Sequence, residues 1–357
     1  MSVLYKVLIR ENLIYLCICL FCCIGIYLLV DVFERLDNFL GADASIETTL
    51  SYFFLKTPLI ISQILPAVFL LALLVQLSLM KKNRELLSLE SGGISFNKLI
   101  FFFLLYCLLW VGIQLLFSQF LGVIGQQKSE QIWSNLGKDK DAQKKIVRDI
   151  WFKQGDVIVF VDKYLPSGKR VEGLKLFYLQ EGFSRINKIV YAQKGSIENN
   201  KCSLQKVKVF FPRRFVTKSR ESFSLQIDKS ARSFMLAKKK QDPEKMSLWE
   251  LGDLISGLKQ TGVNVEVFMT TWHMKIAYAF SVLVLTLIGL CISRLWENIF
   301  WNITVGVVTV FIYYGVYVMG GSMGKNALVP PWVGGWLGVI VLGSASVFAL
   351  LSISRNR

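Results

Sequence analysis

Few residues in this chain are of types that catalyse, and they do not cluster. The one histidine, His273, stands beside Trp272 at the mouth of an apolar stretch. A single histidine in that setting supports no Ser-His-Asp relay and reads as interfacial. Gly324-Lys325-Asn326 resembles the end of a phosphate-binding loop only superficially. The glycine required five positions earlier is Met319, and Asn326 replaces Ser or Thr, so no Walker A motif is present. Cys17, Cys19, Cys22, Cys23, Cys107 and Cys291 lie within apolar stretches and read as small packing residues. Only Cys202 lies in the central, polar part of the chain, which must therefore be stable without an internal disulfide. No zinc spacing appears, so no metal or cofactor is expected, and the chain is not expected to be an enzyme.

The most specific local feature is a short loop, Lys81-Lys82-Asn83-Arg84-Glu85-Leu86-Leu87-Ser88-Leu89-Glu90-Ser91-Gly92-Gly93-Ile94-Ser95. Asn83 suits a helix N-cap, Glu85 suits the positive end of the helix dipole, and Gly92 suits the C′ position. The spacing predicts a helix over 84–92. It would expose Leu86 and Leu89 as an apolar ridge beside Arg84, Glu85 and Glu90. Such a ridge with charged flanks fits a groove on a partner, or else belongs to a plain connecting helix.

The elements that must carry this loop are apolar. Residues 12–30, 57–80, 99–127, 276–293, 298–324 and 326–354 contain no charged residue. Each is about the length at which a helix crosses the roughly 30 Å hydrocarbon core. With 53% hydrophobic residues, the chain is expected to be an integral membrane protein. Spans are expected at 12–33, 53–80, 99–122, 273–293, 298–320 and 332–353, and the apolar run at 12–30 is expected to be retained rather than cleaved. Residues 2–11 read as a short interfacial helix leading into the first span. Pro58 and Pro66 in the second span require neighbouring helices to satisfy the freed backbone. The fifth span carries Gly306, Gly315, Gly320 and Gly321, and the sixth carries Gly334-x-x-x-Gly338, a spacing that serves either internal packing or a dimer face.

The net charge of +16 is unevenly placed. Residues 122–275 hold 29 Lys and Arg against 16 Asp and Glu, a net of +13, and the rest of the chain supplies +3. This distribution argues against a nucleic-acid partner. In the short loops, Lys6 and Arg10, then Lys81, Lys82, Arg84 and Lys98, then Arg294, then Arg355 and Arg357 fall on one side, so both termini are expected to be cytoplasmic and the insert periplasmic.

The insert has a period of two. Val157–Val161, Leu174–Gln180, Ile186–Ala192, Leu204–Phe211 and Phe223–Ile227 read as short strands, separated at Pro166-Ser167-Gly168, Gly182, Gly195-Ser196, Asn199-Asn200 and Pro212. Residues 246–262 read as a helix, with Ser247 and Glu250 as a capping box and Gly262 at its end. The expected fold class is an α-helical membrane protein of six transmembrane helices, with a periplasmic all-β jelly-roll-like domain inserted between helices 3 and 4. The expected domains are 1–124, 125–270 and 271–357.

This 3+3 layout, the β-rich insert and the Arg84-Glu85-Leu86…Ser91-Gly92 loop resemble the LptF/LptG permease family of the bacterial lipopolysaccharide exporter. The segment Asp31-Val32-Phe33-Glu34-Arg35-Leu36-Asp37 and the run from Trp151-Phe152-Lys153 to Phe211 resemble its LptG member. The resemblance covers nearly the whole chain. It implies a bacterial inner-membrane subunit that pairs with a second six-span permease (LptF-like) and binds a cytoplasmic ATPase dimer (LptB-like). It also implies a single-span periplasmic bridge protein (LptC-like) and lipopolysaccharide as substrate. ATP hydrolysis by the partner would squeeze a cavity between the two bundles, and lipopolysaccharide would pass from the inner membrane to the periplasmic bridge.

By that similarity Arg84, Glu85, Leu86, Leu89, Glu90, Ser91 and Gly92 would dock the ATPase, and spans one and five would form the lateral gate and line the cavity. Lipid A asks for apolar walls with cations near its phosphates. Ile26, Val30 and Phe33 on span one and Phe311, Tyr314 and Val318 on span five are stripes at helical spacing. Arg35 and Lys56 are the candidate cations. The chain departs from the LptG pattern, which is richer in lysine here: Glu34 stands where a lysine is expected, Leu40-Gly41 replaces a lysine pair, and Leu59 occupies another such place. Two alternatives are an LptF-type partner subunit and a non-transporting scaffold for the β-domain.

Overall fold

The computed structural model describes residues 2–42, 44–135, 147–154, 156–165, 170–179, 186–198, 201–226, 242–259 and 265–355. The chain forms two compact units, Met1–Trp133 with Met269–Arg357, and Ser134–Phe268. In the first unit the helices are α1 Ser2–Leu40, α2 Ile46–Lys82, α3 Glu85–Ser91 and α4 Phe96–Phe117. A π-helical turn at Ser118–Gly122 leads into α5 Val123–Asn135, so the third span runs on past 122. The second unit ends with α6 Leu248–Lys259, and the chain returns through α7 Glu266–Leu295, α8 Ile299–Lys325 and α9 Pro331–Arg355. Among the described residues, six helices are long and apolar enough to cross a membrane.

Residues 2–11 are not a separate interfacial helix but the first turns of α1. Leu8 is buried with Leu73, Leu77, Met80 and Leu290, and Asn12 Nδ2 donates to Gln76 Oε1 at 3.0 Å. Gln76 Nε2 in turn donates to the Leu8 carbonyl at 2.9 Å. Such pairs satisfy polar groups that lipid cannot. At its other end α1 runs on to Leu40, where Phe39 is buried against Tyr52 and Phe53 of α2.

α2 and α7 contribute to all three apolar clusters of this unit. One cluster joins Leu8, Leu77, Leu86, Leu99, Phe103 and Leu290, a second Leu16, Phe69, Cys107 and Val282, a third Leu70, Leu74, Leu285 and Tyr313. Pro66 removes the amide that would bond the Ser62 carbonyl. Gln114 Nε2 of α4 donates to that carbonyl at 2.6 Å. The adjacent Gln63 carbonyl accepts from the hydroxyls of Tyr278 and Tyr314. Three side chains from neighbouring helices thus bond the α2 carbonyls that precede Pro66.

The GxxxG match serves packing inside the chain. A Cβ on Gly334 would stand 2.7 Å from Gly324 Cα and 2.8 Å from the Gly320 carbonyl oxygen. Gly338 lies against Tyr317 of α8. Gly315 has open space around it. Cys17 and Cys22 carry free, exposed thiols on α1, while Cys19 and Cys23 are half-buried.

The second unit holds a six-stranded sheet of β1 Val147–Gln154, β2 Val157–Leu165, β3 Arg170–Leu179, β4 Ile186–Glu198, β5 Lys201–Phe211 and β6 Val216–Gln226, paired in chain order as an antiparallel meander. β1 was not expected, since the charges of VRDIWFKQ hide its alternation. Gly195-Ser196 is not a turn but the middle of β4, where a Cβ would meet Leu204 and Val171 at 2.8 Å. The separators at Pro166-Ser167-Gly168, Gly182 and Asn199-Asn200, and Gly262, lie outside the described residues.

All five ladders omit one pair in the same column, which runs Asp149, Asp162, Gly173, Gln193, Lys206 and Glu221. Gly173 and Lys206 take φ of 67° and 53° there. On either side of this crease the buried residues change parity. Val171 and Leu174 are both inside, as are Leu204 and Val207, which a flat strand would forbid. The interior is Val159, Val161, Leu176, Val190, Ala192 and Val209 with these four. α6 starts with the expected capping box: Glu250 N donates to Ser247 Oγ at 3.3 Å and Ser247 N to Glu250 Oε2 at 3.2 Å.

Candidate functional site

α3 falls where the sequence placed it, but its caps and its face differ. Asn83 is the C-cap of α2, and its Nδ2 donates to Glu85 Oε1 at 3.3 Å. Arg84 precedes the helix in left-handed conformation, with φ of 58°. At the other end the left-handed residue is Gly93, with φ of 84°, rather than Gly92. Ile94 N donates to the Leu89 carbonyl and Gly93 N to the Glu90 carbonyl, both at 3.0 Å, which is a Schellman closure.

The expected apolar ridge does not face outward. Leu86 is only 7% exposed and sits with Leu77, Met80, Leu99 and Leu290, and Leu89 packs against the same cluster. The leucine left outside is Leu87. Burial of Leu86 and Leu89 fixes α3 to the bundle and leaves Arg84, Glu85, Leu87, Ser88, Ser91 and Gly92 exposed. Ser91 Oγ is turned back to the Leu87 carbonyl at 2.8 Å. Glu90 points the other way, to Arg294, whose Nη1 lies 3.4 Å from Glu90 Oε1.

The two candidate cations meet on one carboxylate. Lys56 Nζ lies 2.7 Å from both Asp31 oxygens, and Arg35 Nε lies 3.1 Å from Asp31 Oδ1. Asp31 is only 6% exposed. The Arg35 guanidinium stacks 4.8 Å from the Trp133 ring centroid and 5.6 Å from that of Tyr52, which also pack against Phe39. One buried carboxylate and two cations flanked by aromatic faces tie α1, α2 and α5 together. Beside it, a groove of about 420 Å³ is lined by Cys23, Ile26, Tyr27, Val30, Asp31 and Glu34.

The two apolar stripes behave differently. Ile26, Val30 and Phe33 are all exposed on α1. On α8, Phe311 and Val318 are exposed, but Tyr314 is turned inward and donates to the Gln63 carbonyl at 3.1 Å. Tyr314 therefore ties α8 to α2 just before Pro66. Both helices pack on α2: α1 through Leu8, Asn12 and Asp31, and α8 through Asn302, whose Nδ2 donates to Ser78 Oγ at 2.8 Å.

Sequence reasoning missed Asp31 as the centre of the charge cluster and Arg294 as a partner of α3. The i,i+4 spacing of Asp31 and Arg35 was a readable signal. Nothing local in the sequence announces Lys56 beside Asp31 or Arg294 beside Glu90, because these pairs are separated by 25 and 204 residues.

No curated protein sequence matches the chain. The family model described as "Lipopolysaccharide export system permease LptF/LptG" matches residues 6–352, which is nearly all of the chain and both of its units. With six membrane-length apolar helices and an antiparallel sheet between the third and fourth, the chain belongs to the LptF/LptG family of lipopolysaccharide export permeases and is a multi-pass inner-membrane protein.

Proposed function

We propose that this chain is the LptG-type transmembrane subunit of an ATP-driven lipopolysaccharide exporter. It pairs with a second, LptF-like six-span permease and takes its motive force from an LptB-like cytoplasmic ATPase dimer. Lipopolysaccharide leaves the inner membrane between the bundles and passes to the periplasmic sheet and an LptC-like bridge protein. Both termini and α3 lie on the cytoplasmic side in this reading, as the basic short loops require.

The observation that carries it is α3. A seven-residue helix anchored inward by Leu86 and Leu89, with Arg84, Glu85, Leu87 and Ser88 outward, is a rigid handle for a partner. Docking then uses Arg84, Glu85, Ser91 and Gly92 directly, with Leu86, Leu89 and Glu90 setting the handle's position. Ile26, Val30, Phe33, Phe311 and Val318 offer the apolar wall, and Arg35 and Lys56 the cations that face lipid A phosphates. Tyr314 supports the gate helix.

Purification in mild detergent tests this reading. An ATPase and a second six-span permease are expected to co-purify, and Glu85→Lys is expected to abolish their assembly or lipopolysaccharide transport. Normal transport by the Glu85→Lys variant overturns the docking role. The identity of the co-purified permease separates an LptG-type from an LptF-type chain.

A further inference from the structure

The proposed handle is joined to the fifth span by a second route besides α2. Arg294 stands in the last turn of α7, and its guanidinium lies between Glu90 Oε1, 3.4 Å away, and the ring of Phe96, whose centroid is 4.9 Å away. Both side chains of the ion pair are mostly buried, at 16% and 31% exposure, so water screens them less than a surface pair. Two residues on, the Trp296 carbonyl accepts from Lys81 Nζ at 3.2 Å and from Asn302 Nδ2 at 3.4 Å. Asn298 caps α8 by accepting from Phe300 N at 2.9 Å. Only residues 296–298 separate α7 from α8. Three residues reach about 10 Å even when extended, and here Trp296 is bonded and Asn298 caps, so little slack remains.

We infer that Arg294 is the positioning residue that passes displacement of α3 to α8, making the α7–α8 turn the transmission between ATPase docking and the apolar wall. The inference rests on the docking role of α3 proposed above. When a partner shifts α3, Glu90 and Phe96 move with the flanks of the Arg294 guanidinium. The short turn then hands the displacement to the first turn of α8, where Asn302 and Gly306 lie on α2. Phe311 and Val318 lie further along the same helix. Arg294 touches no substrate. Its planar group is suited to the role because it holds an ion pair and an aromatic face at once, which an ammonium does less well.

The test uses the purified complex of this chain with its ATPase and second permease, reconstituted in proteoliposomes containing lipopolysaccharide. ATP hydrolysis and lipopolysaccharide released are read in parallel. Arg294→Gln is expected to assemble, and to hydrolyse ATP within about twofold of wild type, while lipopolysaccharide moved per ATP falls at least about fivefold, the lower end for coupling between separate sites. Arg294→Lys, which keeps the charge but not the flat face, is expected to recover part of the ratio. Phe96→Leu, which removes only the ring, is expected to fall between Arg294→Lys and wild type. An unchanged ratio in Arg294→Gln overturns the inference and leaves the docking role standing. So does loss of assembly and hydrolysis together, which marks Arg294 as a stability residue. Failure of the wild-type chain to bind any ATPase overturns the docking role and this inference with it.

Discussion

α7 and α8 are consecutive, joined by three residues, and both apolar enough to cross a membrane, yet they occupy opposite situations. In the most apolar window of α7, 72% of residues are buried within the protein; in that of α8 the share is 17%. α1 extends the contrast, since only 6% of its most apolar stretch is buried within the protein. In a membrane, apolarity does not report protein burial, because lipid tails are as apolar as leucine. What separates inner from outer faces is small residues and paired polar groups: Gly306, Gly320, Gly324, Asn302 and Tyr314 mark the inner face of α8, while Phe311, Gly315 and Val318 mark the outer.

That contrast can be broken at graded cost. Gly334→Val sets a side chain against the Gly324 and Gly320 backbone, which cannot yield. We expect a loss of about 3 kcal/mol, the upper end for overpacking, or no folded protein, read as loss of a monodisperse peak in detergent. Asp31→Asn leaves Lys56 and Arg35 without their shared counter-charge, and is expected to cost about 2–3 kcal/mol of thermal stability, near the cost of breaking a buried pair. Gln114→Leu abandons the Ser62 carbonyl and is expected to cost about 1 kcal/mol. Restoring the amide with Pro66→Ala in the same chain should recover most of it, and a purely additive double mutant would show that Gln114 does something else. On the outer face, Phe311→Ala is expected to change stability by less than about 0.5 kcal/mol, while lowering photocrosslinking to lipopolysaccharide from neighbouring positions. Gly315→Ala, in open space, is expected to cost nothing and to gain a few tenths of a kcal/mol from helix propensity. A large loss there would mean that this face is met by a partner already in the purified state.

The six spans and the sheet were legible because charge-free length and period two are local signals. Which way a short helix turns is not local. In α3, Leu86, Leu87 and Leu89 occupy most of one turn, so the sequence allows either leucine pair outward, and only the pocket formed by Leu77, Leu99 and Leu290 decides. The same holds for the charges. Asp31 of α1 and Lys56 of α2 pair across 25 residues, and nothing local to either one announces the other. Spacing groups Tyr314 with Phe311 and Val318, but its hydroxyl bonds inward to the Gln63 carbonyl of α2.

The column through Asp162, Gly173, Gln193 and Lys206 has an effect on how this family member tolerates change. Because alternation restarts there, the strand halves on either side behave as two independent registers sharing one spine. Deleting a single residue beyond the spine would turn one wall inside out and leave the other intact, whereas a two-residue deletion would merely shorten it. Length variation in the insert should therefore come in even steps within each half.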